Sequence, residues 1–516
     1  MQKNYMQKSK RFKTCQPEQG ELLPTYTSDL VPEDHLARVV NDVVDLLNLE
    51  CLYSKYSIEG GSTYHPKPLL KILFYTYADG TRSSRRIAKM CRENLVYFYL
   101  GGGYKPDHRT VNDFRKNNLD TLKTLFNQIV KICFELKMIS IGRISIDGTK
   151  VKAQASNNNV ICRDKLQEEL NRIEVEISQM FDEAEAIDKQ EDNDFGAERT
   201  GEELPTELQN ARQRKEKIKE QIALLDEHDV DKLNPVEPEA RFMKTHGRRD
   251  LCFNGQIATE NQVVLACNLN NATNDLDQVE PIVEDLEEIA RDLLGKQEHP
   301  LEGVKGITDA GYDSGKTMQY FEKAKIDGYV ANHLNHVRAR EERGEIAARP
   351  FHKDKFKYIS DEDCYQCPAG AKLFPVKKKT EKKKSYTRHD VVYKTDACLS
   401  CEFQNKCTTS KTGCRQVSRY LEYDSFREAM DRKMKTDAGK AEMRHRFKDV
   451  EPTFGQIKEG IFRRNPFLLR GEEKAKGEFT LSCAVHNIKK IKIYLLSDDN
   501  NYNFKDIAKI KAQMAG

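Results

Sequence analysis

Apolar residues recur at helical spacing through the first 140 residues of the chain. Residues 33–48 place Leu36, Val39, Val40, Val43, Val44 and Leu47 three and four apart, the mark of an amphipathic helix. Pro66 and Pro68 open a second helix through Leu69, Leu70, Leu73 and Tyr77. Ser83 or Ser84 caps a short third helix, and a fourth is predicted from about Thr110 to Leu136. At GRISIDGTKVKA the period falls to two: Ile144 and Ile146 alternate, Asp147 stands near the strand's end, and Asp-Gly makes a turn or bulge. Residues 253–270 read as a hairpin around Glu260-Asn261, and a helix follows from about Asp275 to Leu294. Val304 and Ile307 then make a short strand ending at Asp309, with Asp313 as the cap of a helix from about Ser314 and a further strand at 328–334. Strand, hairpin, helix, strand, helix, strand, helix is the order of a mixed sheet flanked by helices.

Two segments interrupt that order. Within 163–226, Leu166, Leu170, Ile173, Ile177, Met180, Ala184 and Ile187 step by four and three. After a turn-rich loop, Leu208, Ala211, Ile218, Ile222 and Leu225 repeat the pattern. That predicts an antiparallel coiled-coil hairpin, paired with itself or with a second subunit. The other segment, about 336–414, holds Cys364-x2-Cys367 and Cys398-x2-Cys401 separated by 30 residues, with Cys407 and Cys414 beyond. Paired C-x2-C knuckles at that distance predict a zinc ribbon with Zn2+ on Cys364, Cys367, Cys398 and Cys401. Cys407 or Cys414 is a substitute for a knuckle thiol. The intervening span, with Lys377–Lys384 at its tip, forms an extended hairpin whose lysines either face solvent or meet phosphates.

Composition sharpens this only locally. The 516 residues have a formal net charge of +3, which by itself says nothing about partners. Yet 163–226 carries 19 acids against 10 bases, whereas 364–419 carries 13 bases against 4 acids. The first segment avoids nucleic acid, and the second suits it. Six of the 14 cysteines fall between 364 and 414, which favours metal binding over a disulfide framework and makes a cytoplasmic setting the default. No run is long and apolar enough for a membrane helix.

The stretch Met443–Phe462, MRHRFKDVEPTFGQIKEGIF, carries the chemistry. Pro452 fixes its own φ and disfavours the α region in the residue before it. Glu451 is therefore predicted at a break where helix restarts, ionised beside free backbone N–H groups. Lys458 follows seven residues on, two turns along nearly the same face, and Arg444 and Arg446 approach from the other side. A carboxylate bracketed by cations suits a grip on phosphate diester; the plainer reading is a helix start with solvated charges.

This stretch resembles the third-carboxylate motif of DDE insertion-sequence transposases, whose signature reads roughly YRRRxxxVEPxFGxIKE. Met443 stands where those proteins usually have Tyr, and Phe447 where a basic residue is common. The run from Gly103 through PDHRT to FRK, the segments 239–275 and 304–312, and the ending to about Ile491 are also similar. The resemblance implies an α/β fold: a ribonuclease H-like mixed sheet at 141–335 and 415–500, an N-terminal all-α DNA-binding domain at 1–140, and a tail at 501–516. The hairpin (160–228) and zinc-ribbon (336–414) segments would be insertions. It further implies that Asp147, Asp309 and Glu451 converge to hold two Mg2+ or Mn2+ ions. Arg444, Arg446 and Lys458 would bind DNA, as would Arg82, Arg85 and Arg86 in the helical domain. The partners expected are double-stranded DNA, as terminal inverted repeats and target, and a second copy in a DNA-bound homodimer. The expected activity is strand cleavage and transfer. The alternative is a transposase-derived DNA-binding protein without that activity; a zinc-dependent hydrolase is the third reading, and all-Cys zinc sites are usually structural.

Overall fold

A computed structural model describes residues 26–56, 63–195, 206–245, 247–332, 334–382 and 387–497. The N-terminal part is helical: α1 (Leu36–Leu46), α2 (Pro66–Ala78), α3 (Ser84–Glu93), α4 (Leu95–Gly101), α5 (His108–Asn117) and α6 (Leu122–Glu135). The single helix expected from Thr110 to Leu136 is therefore two. Asp107 caps the first by accepting from the Thr110 N–H (2.7 Å), and the chain turns at 118–121, where Thr121 Oγ1 donates to the Asn118 carbonyl (2.7 Å).

The central sheet has six strands: β1 (Arg143–Lys152), β2 (Arg241–Thr245), β3 (Arg248–Glu260), β4 (Val263–Asn270), β5 (Lys305–Thr308) and β6 (Asp327–Val330). Their order is β2-β3-β1-β5-β6, with β4 paired to the second half of β3. β1 runs antiparallel to β3 and parallel to β5, and β5 runs parallel to β6. The mixed sheet predicted from the element order is thus present. Asp-Gly does not end β1, contrary to expectation. Asp147 and Gly148 pair in regular register with Ile257 and Gln256, so the strand continues to Lys152. The β3–β4 hairpin turns through Asn261 and Gln262, both at positive φ, as a two-residue turn matched to strand twist requires. Glu260, at the start of that turn, accepts from the N–H groups of Ser140, Ile141 and Gly142 (2.9, 2.7 and 3.0 Å) and so fixes the entry to β1.

Helices α7 (Arg163–Phe195) and α8 (Thr206–Glu227) pair with each other. Ile173, Ala211 and Ile218 are buried between them, with Leu166, Leu170, Ile177 and Ile222 alongside. Arg214–Glu169 (3.0 Å) and Lys215–Glu174 (2.9 Å) flank the seam. The side chains of Ala184 and Ile187 lie outside the described residues. Among the described residues no helix is long and apolar enough to cross a membrane.

Beyond α9 (Val279–Leu294) and α10 (Gly315–Lys323), a second sheet of β7 (Lys357–Ile359), β8 (Cys364–Gln366), β9 (Lys372–Lys382), β10 (Thr387–Lys394) and β11 (Val417–Tyr420) is antiparallel throughout. Ser314, not Asp313, caps α10, accepting from the Thr317 N–H (3.0 Å). Asp313 is buried beside Arg427. The lysine-bearing span is the hairpin β9–β10; Lys383 and Lys384 at its tip fall outside the described residues. The chain then returns through α11 (Asp424–Lys435), α12 (Asp437–Gly455) and α13 (Glu472–Leu495). The last buries Phe479, Leu481, Ile488 and Ile491 against β4, α6 and α2, so the N-terminal helices and the main sheet share one core. His486 is structural: buried, its Nε2 lies 2.8 Å from the Gln262 carbonyl, and burial pushes its pKa down to about 4.

Candidate active site

Strand register brings the first two acids together. In the parallel pair β1–β5, Ile146 lies opposite Thr308, so the next residue on each strand is Asp147 and Asp309. β5 ends there, and Asp309 turns the chain by accepting from the Gly311 N–H (2.8 Å). A strand end beside a continuing neighbour opens a crevice at the sheet's edge, the usual place for a ligand in α/β folds. Helix α12 crosses this opening. Asp147, Asp309 and Glu451 all line the resulting cleft, with Arg444, Arg446 and Phe447 from the same helix.

Arg446 is buried and does not reach outward for DNA as expected. Its Nη2 lies 2.7 Å from Asp147 Oδ2 and 3.7 Å from Asp309 Oδ2. Burial pushes the Asp147 carboxyl up to about 7; the Arg446 guanidinium pulls it down, and Asp309 pushes it up again. The donor set is carboxylate oxygen only, which suits a hard divalent cation. Among the described residues, however, no group of three or more His, Cys, Asp or Glu is gathered tightly enough to hold a metal ion. The three acids share a cleft with an arginine between two of them.

Pro452 does not break the helix. α12 runs unbroken to Gly455 with Glu451 exposed in its interior, not at a helix start. Proline removes the N–H that the Lys448 carbonyl would receive. That carbonyl instead accepts from Gln262 Nε2 (3.1 Å) at the β3–β4 turn, and Asp449 accepts from the Gln262 N–H and from Thr259 Oγ1 (3.0 Å). Sheet contacts thus replace the lost helix bond and seat Glu451 over the cleft. Asp449 was invisible as a docking residue in the sequence, although its position next to the motif's Val450 and its burial set it apart from a surface acid.

Lys458 sits in a widened π-type turn (Gln456–Ile461) that follows α12. It does not line the cleft, but Asp147 lies close enough to act on its ammonium. Burial holds that ammonium below its ordinary range, and Asp147 acts in the opposite direction. Arg444 is exposed at the cleft, and Arg85 and Arg86 are exposed on α3. Arg82, unlike its two neighbours, does not face solvent. It is buried, with Nη1 on Glu478 (3.0 Å) and Nη2 on the carbonyls of Phe462 (3.2 Å) and Pro466 (3.0 Å).

In the cysteine segment the ligands expected from spacing are Cys364, Cys367, Cys398 and Cys401. Cys364 lies in β8, buried, with its Sγ 3.9 Å from a Glu362 carboxylate oxygen. β8 ends at Gln366, and Cys367 opens the turn to β9, its N–H donating to the Ala371 carbonyl (2.9 Å). Cys398 begins a different geometry: Asp396–Ser400 is a 3-10 turn, and such turns align residues three apart, which keeps Cys398 and Cys401 together. Cys367, Cys398, Cys401 and Cys407 line one cavity with Phe351, Phe356 and Phe403. Cys364 is absent from it.

Two family models match the chain. One, described as "Transposase DDE domain", covers residues 366–492, and so includes Glu451 and Lys458 but neither aspartate. The other, "Transposase domain (DUF772)", covers residues 25–117. No curated protein matches. The two matches lie at opposite ends of a sequence whose helical and sheet parts share one core, and both support a likeness to DDE insertion-sequence transposases.

Proposed function

We propose that the chain cleaves DNA at insertion-sequence ends and joins it to target DNA by phosphodiester transesterification. The observation that carries this is the register of β1 and β5, which sets Asp147 beside Asp309 under the helix bearing Glu451. Asp147, Asp309 and Glu451 would hold Mg2+ or Mn2+, which would supply activation of the attacking oxygen and stabilisation of the leaving one. The chain's own residues do the rest. Arg446 balances the charge of the two aspartates, and Arg444 and Lys458 offer cations to phosphates flanking the scissile one. The described residues lining the cleft include no Ser, Thr, Cys or Tyr, in keeping with direct attack by water or a DNA hydroxyl. The strand order supports reading the core as ribonuclease H-like, with the domain limits expected above, and a DNA-bound homodimer remains part of the proposal. A nicking assay on DNA carrying the element's ends, with and without divalent metal, tests it. End binding without metal-dependent nicking would favour a DNA-binding descendant instead.

Lys458→Ala should weaken end binding and lower the slope of log K against log salt by about 0.9, one phosphate contact's worth. An unchanged slope, measured by fluorescence anisotropy across a salt series, would make Lys458 a structural cation.

The cavity thiols point to a structural zinc held by Cys367, Cys398, Cys401 and Cys407, with metal binding drawing them together. The small hydrophobic cluster of this sheet, Phe356, Tyr365, Leu373, Val391, Tyr393 and Val417, is the kind of core that such a staple reinforces. Elemental analysis under reducing conditions should find about one zinc per chain in the wild type and in Cys364→Ser, and little in Cys407→Ser. Zinc lost from Cys364→Ser but kept in Cys407→Ser would restore the set expected from spacing.

A further inference from the structure

Strand β3 is buried along nearly its whole length, yet Asn254 and Gln256 stand in its centre at 0% and 1% exposure. Buried amides demand partners. Both find Asp275, just beyond β4: its Oδ1 accepts from Asn254 Nδ2 (2.7 Å), Gln256 Nε2 (2.8 Å) and Lys150 Nζ (3.0 Å). Lys150 is three residues past Asp147 on β1, and Gln256 lies directly across from Gly148. Gln256 Oε1 in turn accepts from the hydroxyl of Tyr312, fully buried and three residues past Asp309. One carboxylate therefore collects a donor from the Asp147 strand and, through Gln256, one from the Asp309 turn.

Two glycines mark how closely it approaches. A Cβ on Gly148 would collide with Gln256 Nε2 and fall 2.7 Å from Asp275 Oδ1. A Cβ on Gly311 would lie 3.0 Å from Asp309 Oδ1 and 3.6 Å from Asp275 Oδ2. Each glycine adjoins or nearly adjoins a candidate catalytic aspartate, and at Gly148 any side chain would push into the cluster.

We infer that Asp275 is a positioning residue that ties the Asp147 strand to the Asp309 turn and holds the two carboxylates in relative place. Its role toward metal rests on the function proposed above; its role in holding the two segments does not. Asp275→Ala takes the shared acceptor from the Asn254 amide and Lys150 and leaves Gln256 Nε2 only Asn254 Oδ1 (3.1 Å), whereas Asp275→Asn keeps an acceptor oxygen for them.

The test is hydrogen exchange on the full chain, read alongside metal titration. In Asp275→Ala, amide exchange at 148–150 and 310–312 should speed up by about tenfold or more. Asp275→Asn should recover most of the protection. Leu70→Ala, a core truncation in α2, serves as a control: it lowers overall stability and should leave those amides protected relative to the rest of the chain. In end-nicking assays the Mg2+ concentration for half-maximal rate should rise by about 10- to 100-fold in Asp275→Ala, the usual cost of losing a group that orients a ligand. End affinity should hold. Unchanged exchange at both segments in Asp275→Ala overturns the inference. So does a loss of Mn2+ binding in Asp275→Asn as complete as in Asp309→Ala, because Asp275 would then be a ligand itself. A wild type that binds ends but never nicks would defeat the proposed function, while exchange would still decide whether Asp275 holds the two segments.

Discussion

Cleavage of end-sequence DNA in Mg2+ is expected to fall by about 10^3-fold or more when Asp309 or Glu451 becomes Ala, the scale seen when one member of a shared centre is removed. End binding should persist, because carboxylates repel phosphate and contribute little to DNA affinity. The surroundings of the three acids differ, and the variants differ with them. Glu451 is exposed on α12, so Glu451→Ala should leave stability within about 0.5 kcal/mol of wild type and isolates the chemistry. Asp309→Ala also removes the acceptor for the Gly311 N–H, a modest local loss. Asp147 is another matter. Alanine there would leave Arg446 buried without its closest partner, so Asp147→Asn is the fairer test. Gel assays of nicking, paired with anisotropy for binding, separate the two effects. Efficient cleavage by any one of these variants removes that residue from the centre.

How much of this was legible in the sequence depended on whether local backbone decided the answer. Helices α1 to α3, the β3–β4 hairpin and the α7–α8 pair follow from periodicity, because each buries a face that its own pattern defines; the break between α5 and α6 does not. Asp309 was also readable, since a strand followed by a turn places an acid at the strand's end, whereas Asp147, inside β1, stood out only through the family resemblance. Where long-range contacts overrode local preference, the reading failed. Pro452 should end a helix; a glutamine 186 residues before Lys448 supplies the missing donor, and no local rule contains that bond. Thr259 and Asp449, 190 residues apart, form the neighbouring link in the same seam. Spacing alone also does not report that Cys364 lies within β8 while Cys367, Cys398, Cys401 and Cys407 line one cavity. Arg82, Arg85 and Arg86 look alike in sequence, yet only the last two are exposed. What sets Arg82 apart is a glutamate 396 residues away, and a signal lay within the sequence only as an acid, Glu478, inside the apolar run of α13 that holds Phe479 and Leu481.

That pair supports the second large effect. Glu478 is wholly buried; its Oε1 accepts from Arg82 Nη1 (3.0 Å) and Tyr77 OH (3.1 Å), and its Oε2 from the Leu468 N–H (2.8 Å). Arg82 continues the network to the Phe462 and Pro466 carbonyls, and its own carbonyl accepts from Arg115 Nη1 (2.8 Å). Helices α2 and α5 of the N-terminal part are thereby joined to α13 and to the loop that follows Lys458. Glu478→Ala leaves a buried guanidinium uncompensated and is expected to destabilise the chain by about 3–5 kcal/mol. The double variant Arg82→Met, Glu478→Leu removes both charges and should recover much of that loss, because an apolar pair of similar volume carries no desolvation penalty. Calorimetry is the suitable measurement, since a chain with a separate second sheet need not unfold in one step. Loss of the pair should lower the transition that reports the shared core and leave that of the 357–420 sheet nearly in place. If Glu478→Ala shifts neither transition, the network adds nothing to the joint between the helical part and the sheet, and the apolar contacts of Phe479, Leu481, Ile488 and Ile491 hold it alone.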